Sequence, residues 1–356
     1  MTVFLGISPK TESSYLFLCD CLLTSDLPQN HEILLPIRNA MPGESFTSYA
    51  LMRKAFFPHP RIMLLWAGSL LIAKALAKHL ATRLDELLVD SNSFSFKSIV
   101  EGCLTSSEAD QCSFMLVRVF PNDAQGFALR YHCFCCQRDE DQRFQYFGAG
   151  SGFEVATQRL YLGEDAGDEV SAGDLSHPIV QSVRIISNLI SNDLLHDTFR
   201  YFRTGGWYEL FAPTPQGFVP IPYSINVLAG TGDEWDLVKR YSFCYVEGHA
   251  IVICADFSVL GEVIAGEDHE LDVSGLRFFP IRELWHQGSP VTRSEFTIDQ
   301  LFGRNSEFAI NTFTDLKAGK FYTSYVSGCD VLNFGATGGE ISFDLPSIRT
   351  ILSQLP

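Results

Sequence analysis

The stretch Lys54-Ala55-Phe56-Phe57-Pro58-His59-Pro60-Arg61-Ile62-Met63-Leu64-Leu65-Trp66-Ala67-Gly68-Ser69 decides how the chain is read. It holds a lysine, a short apolar run, a turn with two prolines, a second apolar run and a Gly-Ser pair. Apolar runs of this length, bounded by turn residues, read as buried strands. Ser69 stands where a helix N-cap belongs, because Leu70, Ala73, Leu76, Ala77, Leu80 and Leu84 recur at helical spacing. Strand, turn, strand and amphipathic helix follow one another in a single short segment.

Toward the N-terminus, residues 2–7 and 15–21 are strand-like and are separated by Ser8-Pro9-Lys10-Thr11-Glu12-Ser13-Ser14, so a hairpin opens the protein. Residues 25–45, with Pro28, Pro36 and Pro42-Gly43, read as an irregular excursion. Toward the C-terminus, a weaker helix over 95–103 precedes three strands at 113–120, 126–136 and 143–147. Gly148-Ala149-Gly150-Ser151-Gly152 leads into a helical stretch at 153–162. A longer helix spans 176–202, with Ile179, Val183, Ile186, Leu189, Ile190 and Leu194 on its apolar face, and it ends at Thr204-Gly205-Gly206. Strand patterning returns at 207–212 and 218–227. From about residue 228, short strands such as 237–246, 250–257 and 276–281 alternate with turns, and the next helical pattern is at 345–355. Strands gathered in blocks around helix pairs imply an α+β protein rather than repeated βαβ units.

The 356 residues suit about two domains. Hydrophobic residues at 46% and charged residues at 19% exclude a disordered chain. Acidic side chains outnumber basic ones 42 to 26, which speaks against nucleic-acid binding and against an anionic membrane surface. The apolar stretch 62–73 is too short to span a bilayer. The N-terminus lacks the basic region of a secretory signal, so a cytoplasmic setting with free thiols is expected for the ten cysteines. His132-Cys133-Phe134-Cys135-Cys136 has no second Cys/His pair at zinc-finger spacing, so these read as buried strand cysteines and no metal is expected. The acidic runs 163–169 and 267–272 lack the ligand order of a calcium loop and read as solvated loops.

Thr2 joins a nucleophile and a base in one residue if Met1 is removed: the hydroxyl attacks and the α-amine accepts its proton. A free α-amine titrates near ~7.7–8.0, which suits general-base work at neutral pH. The order of landmarks behind Thr2 resembles the proteasome β-subunit family of N-terminal-nucleophile hydrolases, including the simpler bacterial proteasome-like peptidases. Tyr15-Leu16-Phe17-Leu18-Cys19-Asp20 is similar to the family's second strand with its aspartate. Lys54 matches the lysine, and Gly68-Ser69 the pair that opens the first long helix. Gly148-Ala149-Gly150-Ser151 and Thr204-Gly205-Gly206 are similar to the family's Gly-Ser-Gly-Ser and Ser-Gly-Gly segments. The resemblance covers roughly residues 2–225 and rests on order, since no single motif is diagnostic.

The resemblance implies a four-layer αββα domain over residues 1–225, followed by a β-rich accessory domain over 226–356 that lies outside it. It also implies Thr2 as nucleophile and base, Lys54 as the cation that favours the Thr2 alkoxide, and Asp20 as the group that orients Lys54. The Gly68 N–H would stabilise the oxyanion, with Ser151 and Thr204 in supporting places. Leu23, Met52, Trp66 and Leu70 would line an apolar substrate pocket, although Trp66 reads equally well as ordinary core. The implied substrate is a peptide or other amide, the implied assembly a homo-oligomeric dimer or ring, and no cofactor is called for. Leu22, Ala149 and Tyr201 stand where the family often has arginine, serine and aspartate. Two other functions fit the same landmarks: a catalytically silent assembly or scaffolding module, and an amidase for a small molecule.

Overall fold

The computed structural model describes residues 3–10, 15–25, 47–122, 126–154, 205–231, 234–246, 249–257, 275–285, 306–315, 320–327, 332–334 and 341–343, with isolated positions (156, 157, 181, 182, 185, 186, 189, 296, 297, 300 and 303) between them. Its order opens with strands β1 (Phe4–Pro9), β2 (Leu16–Asp20), β3 (Leu22–Ser25), β4 (Thr47–Leu51), β5 (Ala55–His59) and β6 (Ile62–Gly68). Helices α1 (Leu70–Ala81), α2 (Leu84–Leu87), α3 (Phe96–Cys103) and α4 (Ser106–Ala109) follow. Then come β7 (Cys112–Asn122), β8 (Gly126–Phe134), β9 (Gln137–Glu140), β10 (Phe144–Ala149), β11 (Tyr208–Thr214) and β12 (Gly217–Pro220). The remainder is β13 (Tyr223–Thr231), β14 (Glu234–Val246), β15 (His249–Asp256), β16 (Leu276–Ile281), β17 (Phe308–Asp315), β18 (Lys320–Ser327), β19 (Leu332–Phe334) and β20 (Ile341–Phe343). The protein is α+β with sheet predominating.

Three sheets carry the architecture. The first is six-stranded, in the order β12-β11-β2-β1-β10-β9, with β1 and β2 forming the opening hairpin. The second has the order β5-β6-β7-β8, and the third β16-β15-β14-β13-β17-β18. Each is antiparallel except where β13 runs parallel to β17. Period-two alternation decides which face each strand residue serves. In β6, Met63, Leu65 and Ala67 point toward the first sheet and meet Phe4, Phe17 and Phe147. Ile62, Leu64 and Trp66 point the other way, under Ala73, Leu76, Ala77 and Leu80 of α1 and Ile99 of α3. The outer face of the first sheet, with Leu5, Ile7, Leu18 and Leu210, packs against Phe153, Ala156, Ile185, Ile186 and Leu189, which are helical. The same core takes in Tyr223, Ile225, Tyr241, Phe243 and Val252 of the third sheet. There the Trp207 ring stacks on Tyr223 at 4.9 Å, and Tyr223 on Phe308 at 5.2 Å.

Several local readings change. Ser69 occupies the N-cap of α1, but its side chain makes no capping hydrogen bond. The helix stops at Ala81, and Leu84 opens the separate turn of α2 rather than extending the apolar face. α3 is capped by Ser95, whose side chain accepts from the Ser98 N–H. The strand expected over 218–227 is two strands in different sheets, β12 and β13, broken at Pro220-Ile221-Pro222, where two residues lack a ladder donor. β3 and β4 pair with each other at the two ends of the expected excursion. Cys133 and Cys135, read as buried, are both exposed. β8 is an edge strand of its sheet, and Cys135 lies just past its end. Cys19 packs between the first and second sheets. The acidic runs at 163–169 and 267–272 and the helix expected at 345–355 lie outside the described residues.

Candidate active site

The end of β2 and the start of β5 place two opposite charges in the dry interior. Asp20 is fully buried and Lys54 is 2% exposed. Asp20 is bound to Val3, the residue after Thr2, in both directions: its N–H donates to Val3 O at 3.0 Å, and its Oδ1 accepts from the Val3 N–H at 3.1 Å. Its Oδ2 accepts from the Gly205 N–H at 3.2 Å, in the Gly-Gly segment that follows Thr204. Two backbone donors suit a carboxylate far better than two side chains would, because they cost little ordering and cannot swing away. The aspartate thereby joins the N-terminal strand to the segment leading into β11.

Lys54 is held differently. Its carbonyl accepts from the Trp66 N–H at 3.1 Å, and its ammonium lies 4.4 Å from the centroid of the Trp66 ring. Burial pushes the Lys54 ammonium below its ordinary pKa, while the charge of Asp20, and after it Cys21 and Cys19, acts in the opposite sense. The Asp20 carboxylate acts on the ammonium as a nearby charge. A buried lysine with depressed proton affinity gives up its proton more readily than an exposed one.

Gly68 is the exposed last residue of β6 and leads through Ser69 into α1. The Ser69 N–H donates to the Cys112 sulfur at 3.2 Å, and the junction carries the positive end of the helix dipole. Leu23, Met52 and Trp66 meet in one buried cluster beneath α1, with Leu70 packed half-buried against it. Trp66 is fully buried, and its Nε1 has no hydrogen-bond partner among the described residues. Ser151 lies in the turn after Gly150, whose φ is +101°. Thr2 and Thr204 lie outside the described residues.

Sequence reading passed over the group nearest this pair in the chain. Arg53 is 7% exposed and Glu209 1%. The Arg53 Nε and Nη2 donate to the Glu209 carboxylate at 3.0 and 2.8 Å, Nη2 also reaches Tyr245 Oη at 2.7 Å, and Nη1 donates to Glu283 at 2.8 Å. Burial alone would lower the Arg53 pKa, but Glu209, Tyr245 and Glu283 raise it on balance, so the guanidinium stays charged. Cys21, next to Asp20, donates its thiol to Glu209 at 3.6 Å. The signal available in the sequence was the Arg53-Lys54 pair itself, two cations beside an apolar strand. A cavity of about 270 Å³ lined by Glu86, Val89, Ser91, Ser93 and Phe94 shares no residue with this site. Among the described residues no cluster of three or more His, Cys, Asp or Glu side chains is arranged to hold a metal ion. The sequence matches no family model and no curated protein.

Proposed function

We propose that the protein is a threonine-dependent amide hydrolase, acting on peptides, in which Thr2 becomes the N-terminal residue on removal of Met1. The observation that carries this reading is the reciprocal pairing of Asp20 with Val3, directly after Thr2, beside the buried Lys54 ammonium. In this reading residues 1–225 form a four-layer αββα domain. The two facing sheets, with helices beyond each, support that description.

The Thr2 hydroxyl attacks the amide carbonyl while its own amine takes the proton, and the amine then passes that proton to the leaving nitrogen. An ester to Thr2 remains, and water activated by the same amine clears it. Lys54 favours the alkoxide by its charge. The tetrahedral oxyanion is held by the Gly68 N–H. The cluster of Leu23, Met52, Trp66 and Leu70 lies beside this junction and would favour an apolar side chain next to the scissile bond.

Intact mass and a terminal-threonine-directed electrophile test the proposal together. The expected result is loss of Met1, labelling at Thr2, and a drop of at least ~10²-fold in hydrolysis for Thr2→Ala and for Lys54→Met. Retention of Met1 in active protein, or labelling undiminished in Thr2→Ala, would overturn it. Turnover of small acyl amides but not peptides would transfer the same chemistry to an amidase. A Met1-free protein inert toward both would leave the scaffolding module.

A further inference from the structure

The link between β8 and β9 is Cys135-Cys136 alone, and Cys133 stands two residues before it on the edge strand. Three thiols therefore fall within four consecutive residues at a surface turn. Cys135 has φ +52° and is the one non-glycine residue of left-handed conformation among those described. A non-glycine residue resists that conformation, so it needs support from its surroundings. The Ser113 hydroxyl supplies some by donating to Cys135 O at 2.7 Å. The reversal of the chain turns the Cys136 thiol back onto the sheet, where it lies 3.2 Å from Phe114 O and 3.6 Å from Phe134 O. The Cys133 thiol is near enough for each of the two to shift the other's proton affinity. Cys133 and Cys135 are exposed, and Cys136 is half-buried.

We propose that Cys133 and Cys136 form a thiol–disulfide exchange site for small external disulfides of the glutathione type, with Cys133 attacking and Cys136 resolving. The roles follow from which thiol is open to solvent and which is engaged by the sheet backbone. Cys133 is exposed and its proton affinity is lowered by Cys136, whereas the Cys136 S–H donates to Phe114 O at 3.2 Å. Cys133 first, and then burial, push the Cys136 thiol above its ordinary range. The thiolate is the nucleophile, and an exposed one with a neighbouring thiol in Cys-X-X-Cys spacing is arranged for exchange. Other described thiols differ: Cys19 and Cys21 are fully buried, and burial pushes both well above the ordinary thiol range.

In the first step the Cys133 thiolate attacks one sulfur of the external disulfide, forming a mixed disulfide and expelling one thiolate. In the second, Cys136 loses its proton to solvent and attacks the Cys133 sulfur, which releases the second thiolate. Two protein thiols are oxidised to one disulfide, and one external disulfide is reduced to two thiols.

The test incubates the full chain with glutathione disulfide, blocks the remaining thiols and sequences the tryptic peptide 131–138, which holds all three cysteines. The expected product is an intrachain Cys133–Cys136 bond in the wild type and in Cys135→Ser. Cys136→Ser should instead stop at a glutathione adduct on Cys133. Before oxidation, Cys133 should alkylate at least ~10-fold faster than half-exposed Cys103, whose thiol is pushed up by burial and by Glu108. A wild type left fully reduced, a Cys133–Cys135 bond, or equal alkylation rates at Cys133 and Cys103 would each overturn the proposal. The alkylation comparison needs no variant, so a misfolded mutant does not shield it.

Discussion

Gly68 has φ +109°, and a Cβ placed on it would lie 2.1 Å from Gln111 O and 3.0 Å from the Cys112 sulfur. Both demands fall on the residue that ends β6 and precedes the cap of α1. Gly68→Ala therefore meets unfavourable backbone conformation and a backbone clash at once. Strained backbone alone costs about 1–3 kcal/mol, so the loss of stability should reach ~3 kcal/mol or more in urea unfolding. Loss of hydrolysis should exceed the fraction unfolded, since the helix N-terminus moves with the residue. A Gly68→Ala protein as stable as the wild type would mean that β7 yields to the side chain. The sequence made Gly68 visible as the end of an apolar run before a helix. It did not show the close approach of Gln111, which lies in the turn before β7 and arrives much later in the chain.

Elements were most legible where one short run carries its own pattern. The alternation in 62–68 and the helical spacing after Leu70 produced β6 and α1 because each needs only local residues to face one core. Junctions between elements were less legible, and Arg118 shows why. This β7 arginine is 1% exposed and donates Nη1 to Leu87 O and Val89 O, both at 3.2 Å. Its Nη2 lies 3.0 Å from His132 Nε2 on β8, and the guanidinium sits 3.7 Å from the centroid of the Phe94 ring. One side chain thus joins α2, the segment before α3, and two strands. Facing a guanidinium, His132 must be neutral. Burial first, then Arg118 and Arg130 against a weaker opposing Asp90, pushes its pKa from the ordinary 6.5 down to about 4. As pH falls below 6.5, the unfolded chain takes up a proton that the folded chain refuses until about pH 4. The stability carried by neutral His132 is therefore full above pH 6.5 and is lost progressively toward pH 4. Replacing it by glutamine keeps an acceptor for Arg118 but removes the titration. His132→Gln should show a shallower fall in melting temperature than the wild type over that range, and parallel curves would remove His132 from the account.

Long-range pairing was the part of the whole molecule that no local pattern could announce. β13 lies between β14, its neighbour in sequence, and β17, its parallel partner from far downstream. The Arg53 network is its counterpart among side chains. Arg53 follows β4, Glu209 lies on β11 of the first sheet, Tyr245 on β14 of the third, and Glu283 just beyond β16. These contacts span 156, 192 and 230 residues of chain, so they form only when the sheets are already assembled. Removing one member of a buried pair leaves the other charge without compensation and costs about 3–5 kcal/mol, whereas removing both in favour of apolar groups recovers much of it. Arg53→Met and Glu209→Leu should each fall in that range, and the double variant should be clearly more stable than their sum. As a control, the exposed Lys97–Glu101 pair at 3.6 Å should contribute no more than ~0.5 kcal/mol. The cycle, measured by urea unfolding with tryptophan fluorescence, to which Trp207 in the shared core contributes, also tests cooperativity. If the network couples the first and third sheets, the single variants lower one common transition. Two separated transitions in the wild type would mean that the sheets unfold independently and that Arg53 joins two units rather than completing one.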